Sequence, residues 1–215
     1  MKFLLKNRKE AGQLLGSKLI KYANSSNSLI LALPRGGVPV AFQIAQKLNL
    51  PLDICLVRKL GVPQRQELAM GAISTNNVMV INQSVVASME ISEEAISKVV
   101  QSEKQELQRR ELLYKGHRPA LVIKDQTIIL VDDGAATGAT LQAAIGAIKQ
   151  QCPKVIIVAI PIISEEAIKT LQSAVDQLVY LFSPSPLQSI SLWYENFEQT
   201  TDQEVCELLN LSFLA

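Results

Sequence analysis

A single histidine, His117, stands in the 215-residue chain. That scarcity excludes a histidine-based triad and a histidine metal cluster, and leaves His117 to be read as a helix-end residue. Cysteine is nearly as sparse. Cys55, Cys152 and Cys206 lie far apart and fall into no metal-ligand spacing, so they read as reduced, buried thiols of a cytoplasmic protein, with no metal held by the chain itself. Long apolar runs are missing, which excludes a helical membrane span and a membrane partner. The start MKFLLKNRKE is too short and too charged for a signal peptide. No charge of one sign dominates: Lys plus Arg number 21 against 20 for Asp plus Glu, which argues against a nucleic-acid partner. There is no internal repeat and no G-x-G-x-x-G fingerprint. A Walker A loop is excluded as well, since only three residues separate Gly134 from Gly138 and Ala139 stands where no lysine helps. With 48% hydrophobic and 19% charged residues, the chain is globular and long enough for one good core.

What the sequence does hold is concentrated in Thr127–Gln142, TIILVDDGAATGATLQ. Ile128–Val131 is a continuous apolar run, the mark of a strand buried on both faces. It stops on two carboxylates, Asp132 and Asp133. A small-residue turn follows, and Leu141, Ala143, Ala144, Ile145 and Ile148 then carry a helical pattern. A helix N-terminus favours a phosphate, and small side chains let the phosphate approach the backbone. Two acids beside such a turn would repel a phosphate but would accept the hydroxyls of a sugar diol. The combination predicts a sugar phosphate as ligand. The bland alternative is an ordinary strand–turn–helix junction whose acids cap the helix.

VDDGAATGAT resembles the PRPP-binding motif of type I phosphoribosyltransferases. The resemblance implies that Asp132 and Asp133 bind the ribose hydroxyls and that Ala135, Ala136, Thr137, Gly138, Ala139 and Thr140 bind the 5-phosphate. Two further segments are similar to parts of that family. Pro34-Arg35-Gly36-Gly37, after the first core strand, resembles its pyrophosphate loop, with Arg35, Gly36 and Gly37 as substrate contacts. Arg58-Lys59-Leu60-Gly61-Val62-Pro63 resembles the basic segment of adenine phosphoribosyltransferases, which implies a mobile loop with Arg58 and Lys59 on the diphosphate. Arg65 falls in that loop by position, and Glu67 is the loop acid that could act as general base; its alternative is a solvated carboxylate. Ala136 stands where the 6-oxopurine enzymes of the family carry an Asp, so the pattern leans away from hypoxanthine or guanine as acceptor.

Along the chain, Lys9–Ala23 reads as a helix with Leu14, Leu15, Leu19 and Ile20 inward. Leu29–Leu33 reads as a strand, Val38–Leu48 as a helix, Ile54–Val57 as a strand ending in Arg58-Lys59, and Ala69–Ile73 with Val78–Ile81 as a hairpin. Ile91–Lys115 is the longest helix, started by Ser92 and stopped by Gly116, and it either builds a homodimer or covers the site. Lys154–Pro161 and Gln177–Phe182 are strands around a helix at Ser164–Ala174. The alternation predicts an α/β fold, a doubly wound, mostly parallel sheet with helices on both faces, plus a small C-terminal hood lobe. Residues 1–182 would form the core, with an inserted loop and helix at about 60–118, and residues 183–215 the hood. Trp193, Tyr194 and Phe197 in that tail form its packing core or stack a base, with Trp193 and Phe197 the stacking candidates. The implied activity is transfer of 5-phosphoribosyl from PRPP, carried with Mg²⁺, to a small nitrogenous base with release of pyrophosphate. The other readings are a PRPP-binding regulator without transferase activity, and a sugar-phosphate enzyme that uses another donor.

Overall fold

The computed structural model describes residues 4–75, 78–116 and 122–213, except the side chains of Gln66, Glu67 and Phe213. His117 lies outside the described residues. Helix α1 spans Arg8–Lys18, and Asn7 caps it by accepting the Glu10 amide. Leu15 and Leu19 are buried as expected, whereas Leu14 and Ile20 are exposed. The cause is a close crossing with α2, Gly37–Leu48. A Cβ on Gly12 would stand 2.4 Å from the Val40 carbonyl oxygen and one on Gly16 3.0 Å from the Lys47 side chain, so Gly12 and Gly16 make the contact face with Leu15. The α-helix also ends at Lys18, and Ile20 falls in a short 3₁₀ turn.

The central sheet is built from β1 (Ser28–Ala32), β2 (Leu52–Ile54), β6 (Thr127–Val131), β7 (Val155–Ile162) and β8 (Gln177–Phe182). All pairs are parallel and the order is β2-β1-β6-β7-β8. Strand alternation sorts the side chains to two faces. Ile30, Ala32, Ile129, Val131, Ile157 and Ala159 join the core formed with α2 and with α7, Asp202–Phe213. Leu29, Leu31, Ile128, Leu130, Ile156 and Val158 join the core formed with α5 (Ala139–Lys149) and α6 (Glu165–Gln172). The chain leaves β1 toward β2 on one side and returns as β6 on the other. The boundary between β1 and β6 is therefore the topological switch point, where open α/β sheets collect ligands beyond the strand C-termini.

A second, antiparallel sheet holds β3 (Val57–Val62), β4 (Arg65–Ser74) and β5 (Met79–Ile81). This corrects two expectations. The strand expected over Ile54–Val57 divides: β2 ends at Ile54 and Val57 begins β3. The Cys55 amide donates to the Ala32 carbonyl, and there the chain parts from the parallel sheet. The segment from Arg58 is a hairpin rather than a loop. Leu60, Val62 and Met70 are buried, and that apolar face holds the two strands against the helices despite Gly61 and Pro63. The pairing shifts register around Gly61, which is where a bulge admits a glycine. The expected hairpin over Ala69–Ile81 is present as β4 and β5.

After α3 (Gln83–Ser88), a helix that the sequence reading missed, comes α4 at Glu93–Lys115. Ser92 caps it by accepting the Ala95 amide, and Gly116 ends it with φ +57°. Helices α4 and α5 both pack against the antiparallel sheet, and α7 packs on α2 and α4. The segment before α7 folds against the start of the chain, where Leu5, Ile162 and Tyr194 form a small buried cluster. Thr201 caps α7 by accepting the Glu204 amide.

Candidate functional site

The loops after β1 and β6 meet at the switch point, and their glycines permit the contact. A Cβ on Gly36 would lie 2.0 Å from Oδ2 of Asp133, and one on Gly37 would lie 2.7 Å from the Val131 carbonyl oxygen. The segment carrying Arg35, Gly36 and Gly37 is thus packed onto the acidic pair, although the two are far apart in sequence. The Pro34–Arg35 peptide is cis.

Asp132 and Asp133 differ in surroundings. Oδ1 of Asp132 accepts the Asp133 amide at 2.9 Å. Burial, and then the charge of Asp133, push the Asp132 carboxyl well above the ordinary carboxylate range. Asp133 is paired instead. Arg8 donates Nε (2.8 Å) and a terminal nitrogen (2.7 Å) to its Oδ2. The other terminal nitrogen of Arg8 donates to the Glu198 carbonyl at 2.7 Å, and the guanidinium lies 3.9 Å over the Phe197 ring. The Tyr194 hydroxyl donates to the Asp133 carbonyl at 2.9 Å. Burial, and then the nearby Asp133 charge, raise that phenol's pKa. A Cβ on Gly134 would meet Ile190 at 2.4 Å, so the tail seals the far side of the pair.

The turn after the acids is held from behind. The Ala135 amide donates to the Ile162 carbonyl and the Ser164 amide donates to the Ala135 carbonyl, both closing the turn on β7. The Ser164 hydroxyl, which also caps α6, donates to the Ala136 carbonyl. Gly138 takes φ +73° and is buried, while Ala136, Thr137, Ala139 and Thr140 are exposed. A recess of about 110 Å³ is lined by Asp132 and Gly134–Leu141. This is an anion-sized cradle open to solvent at a helix N-terminus.

A larger cleft of about 550 Å³ runs beside it. Pro34 and Thr140 bring the two switch-point loops to its wall, Arg58 and Lys59 come from β3, and Ser102, Glu103 and Arg110 come from α4. Arg58 is ion-paired with Glu103. Arg35 lies 3.6 Å from Asp202 at the start of α7, and Tyr114 donates to the same carboxylate. The structure therefore gathers Arg58, Lys59 and the residues from Pro34 and Asp132 onward around one region. It does not gather Trp193, which stacks on Phe182 with centroids 6.1 Å apart. Phe197 stacks on Tyr194 at 4.8 Å and carries Arg8, an arrangement of packing. The Glu67 side chain lies outside the described residues, though its backbone belongs to β4. Among the described residues no cluster of three His, Cys, Asp or Glu side chains could hold a metal ion, and no helix is long and apolar enough to cross a membrane.

Arg8, Ile190, Glu103 and Arg110 were missed by sequence reasoning. Arg8 reaches Asp133 across 125 positions, and nothing local marks it among the other cations of the first ten residues. Glu103 had a signal, because the long helix was a candidate to cover the site.

Residues 4–177 match the family model of the phosphoribosyl transferase domain. Curated proteins of two Mycobacterium tuberculosis strains, CDC 1551 and H37Rv, carry provisional phosphoribosyl transferase names; each is 36% identical over 207 residues, which is 96% of this chain and 46% of theirs. The chain spans about half the length of the curated relatives it matches. The crystal structure of TT1426 from Thermus thermophilus aligns with a TM-score of 0.87 at 32% identity, covering 97% of this chain and 98% of that one. The family match runs from the segment leading into α1 to the first residue of β8 and takes in both switch-point loops: the chain belongs to the phosphoribosyl transferase domain family.

Proposed function

We propose that this chain transfers the 5-phosphoribosyl group of PRPP to a small nitrogenous base and releases pyrophosphate. The observation that carries the reading is the contact of three elements at one switch point. The acidic pair Asp132-Asp133 suits a ribose diol, the turn 136–140, exposed except at Gly138, suits a 5-phosphate, and the Arg35-Gly36-Gly37 loop packed on Asp133 suits a diphosphate. In the reaction the bond from C1 to the diphosphate oxygen breaks, a C1–N bond forms, and the acceptor loses a proton. Positive character grows on the ribose beside the acids. Negative charge grows on the diphosphate, where Arg35, Arg58 and Lys59 would meet it. Mg²⁺ would arrive on the donor and take most of its ligands from substrate oxygens and water, as this ion prefers. Glu67 remains the proposed general base.

The second reading, a PRPP-binding regulator without transferase activity, draws on one observation. Among the proposed diphosphate cations, Arg58 is engaged by Glu103 and Arg35 by Asp202. Calorimetric titration of PRPP with Mg²⁺ into wild type and Asp133→Asn, followed by a pyrophosphate-release screen across free bases, separates the two. Binding markedly weakened in the variant together with release for one base supports the transferase. Binding without release for any base supports the regulator, and no binding to wild type removes both.

A further inference from the structure

We propose that Arg8 is a positioning residue of the donor site, fixing from α1 the carboxylate of Asp133 that would accept a ribose hydroxyl. The proposal rests on the reading of Asp133 as a PRPP contact. Arg8 is not a loosely placed surface cation. Its side chain is 12% exposed and that of Asp133 is 18% exposed. All three guanidinium nitrogens are engaged: two on one carboxylate oxygen and one on the Glu198 carbonyl. The flat face of the group rests on Phe197, and Phe197 rests on Tyr194. Tyr194 in turn holds the backbone of Asp133. The result is a closed ring of contacts, from Asp133 to Arg8 to Phe197 to Tyr194 and back to Asp133, built by three separate chain segments.

Such a ring settles orientation. Both Arg8 contacts fall on Oδ2, which leaves the carboxylate turned by one fixed oxygen. A guanidinium gives this directional grip and an ammonium does not. Arg8 also supplies the positive charge that offsets the two acids, since it is one of the influences opposing the raised pKa of Asp132. A latch that merely blocks the acid would be expected on a mobile, exposed segment. Arg8 lies instead in the capped first turn of α1, which is packed tightly on α2.

The test is a double-mutant cycle read as the Kd of PRPP with Mg²⁺, using wild type, Arg8→Met, Asp133→Asn and both together, with Arg8→Lys as the conservative variant. Arg8→Met is expected to weaken binding at least about tenfold, or about 1.4 kcal/mol. Arg8→Lys should recover part of that loss. Adding Arg8→Met to Asp133→Asn should bring no further loss, because Arg8 acts through Asp133. A purely structural role would instead lower affinity by a factor that multiplies with that of Asp133→Asn, and this overturns the proposal. Unchanged affinity in Arg8→Met overturns it, and tighter binding does so in favour of a latch. Failure of wild type to bind PRPP removes the functional reading, and this inference with it, and is seen in the first titration alone.

Discussion

Gly36→Ala isolates the contact between the two loops. The backbone of Gly36 lies at φ −60° and ψ −32°, a helical conformation that alanine adopts without strain. On backbone grounds alone the substitution would stabilise the fold by about 0.4–1 kcal/mol, through the unfolded state. The new Cβ, however, would stand 2.0 Å from Asp133 Oδ2 and 2.5 Å from its Cγ. An ordinary carbon–oxygen approach is about 3.3 Å, so the carboxylate has to retreat by about 1.3 Å. It cannot do so and keep both Arg8 contacts at 2.7–2.8 Å. A hydrogen bond to a charged group is worth about 1.5–3 kcal/mol, so losing the one a ribose hydroxyl would give Asp133 costs about ten- to a hundredfold in affinity. The expected variant is folded, with a melting temperature within a few degrees of wild type, and has PRPP affinity reduced by that factor. Calorimetry with PRPP and Mg²⁺ beside a thermal melt measures both quantities. Wild-type affinity in a folded Gly36→Ala protein would refute the argument that this glycine exists to admit Asp133. Gly37→Ala is the contrast: its Cβ would meet the Val131 carbonyl oxygen at 2.7 Å and the Asp132 Cα at 3.0 Å, backbone atoms that cannot swing aside, so the melt itself should fall.

Asp132→Asn should stabilise the protein at neutral pH while weakening PRPP binding. The folded carboxyl holds its proton above the ordinary value of 3.8, so wild-type stability falls as pH rises from that value through the raised one, by at most about 1.4 kcal/mol per pH unit. Denaturant titrations of both proteins across roughly pH 4–8 should show the gap open with pH; parallel curves would contradict it. Gly134→Ala should lower the melting temperature because its Cβ meets Ile190 at 2.4 Å, and adding Ile190→Ala should restore much of the loss; additive losses would place the fault elsewhere. Of the three thiols expected to be buried only Cys55 is; Cys206 is half-buried, and Cys152, in the turn after α5, is exposed and should react readily with a disulfide reagent near neutral pH. Cys55, buried and pushed up to about 12 chiefly by that burial, should react only on unfolding, and rapid native-state labelling of Cys55 by mass spectrometry would contradict the packing.

The centre of the parallel sheet was legible because β1, β6 and β7, buried on both faces, are nearly uninterrupted apolar runs, and because Ser92, Ser164 and Thr201 cap their helices by purely local bonds. The turn from Asp132 to Thr140 was legible for the same reason: its strand, acids and helix are contiguous. The hairpin at Val57–Ser74 was not. Gly61 and Pro63 carry ordinary loop signals, and only burial of Leu60, Val62 and Met70 by distant helices outweighs them. The α1 face was misread because Leu14 and Ile20 satisfy a hydrophobic stripe, while the real contact is set by how closely Gly12 lets α2 approach. Arg8 was illegible in principle: an arginine's partner 125 positions away leaves no trace in local pattern.

The brace of Asp133 by Tyr194 and, through Arg8, by Glu198 has a consequence for synthesis. A nascent chain that has emerged through β8 at Phe182 already possesses every strand of the parallel sheet and both switch-point loops. It already has Arg8 but still lacks Tyr194, which holds the Asp133 backbone, and Phe197 and Glu198, which seat the Arg8 guanidinium. Domains gain structure from the N-terminus as they leave the ribosome, so the sheet can close around its core before the donor site has its final shape. The stretch that emerges after β8 then braces the backbone of a residue made 61 positions earlier, counted along the Tyr194 bond.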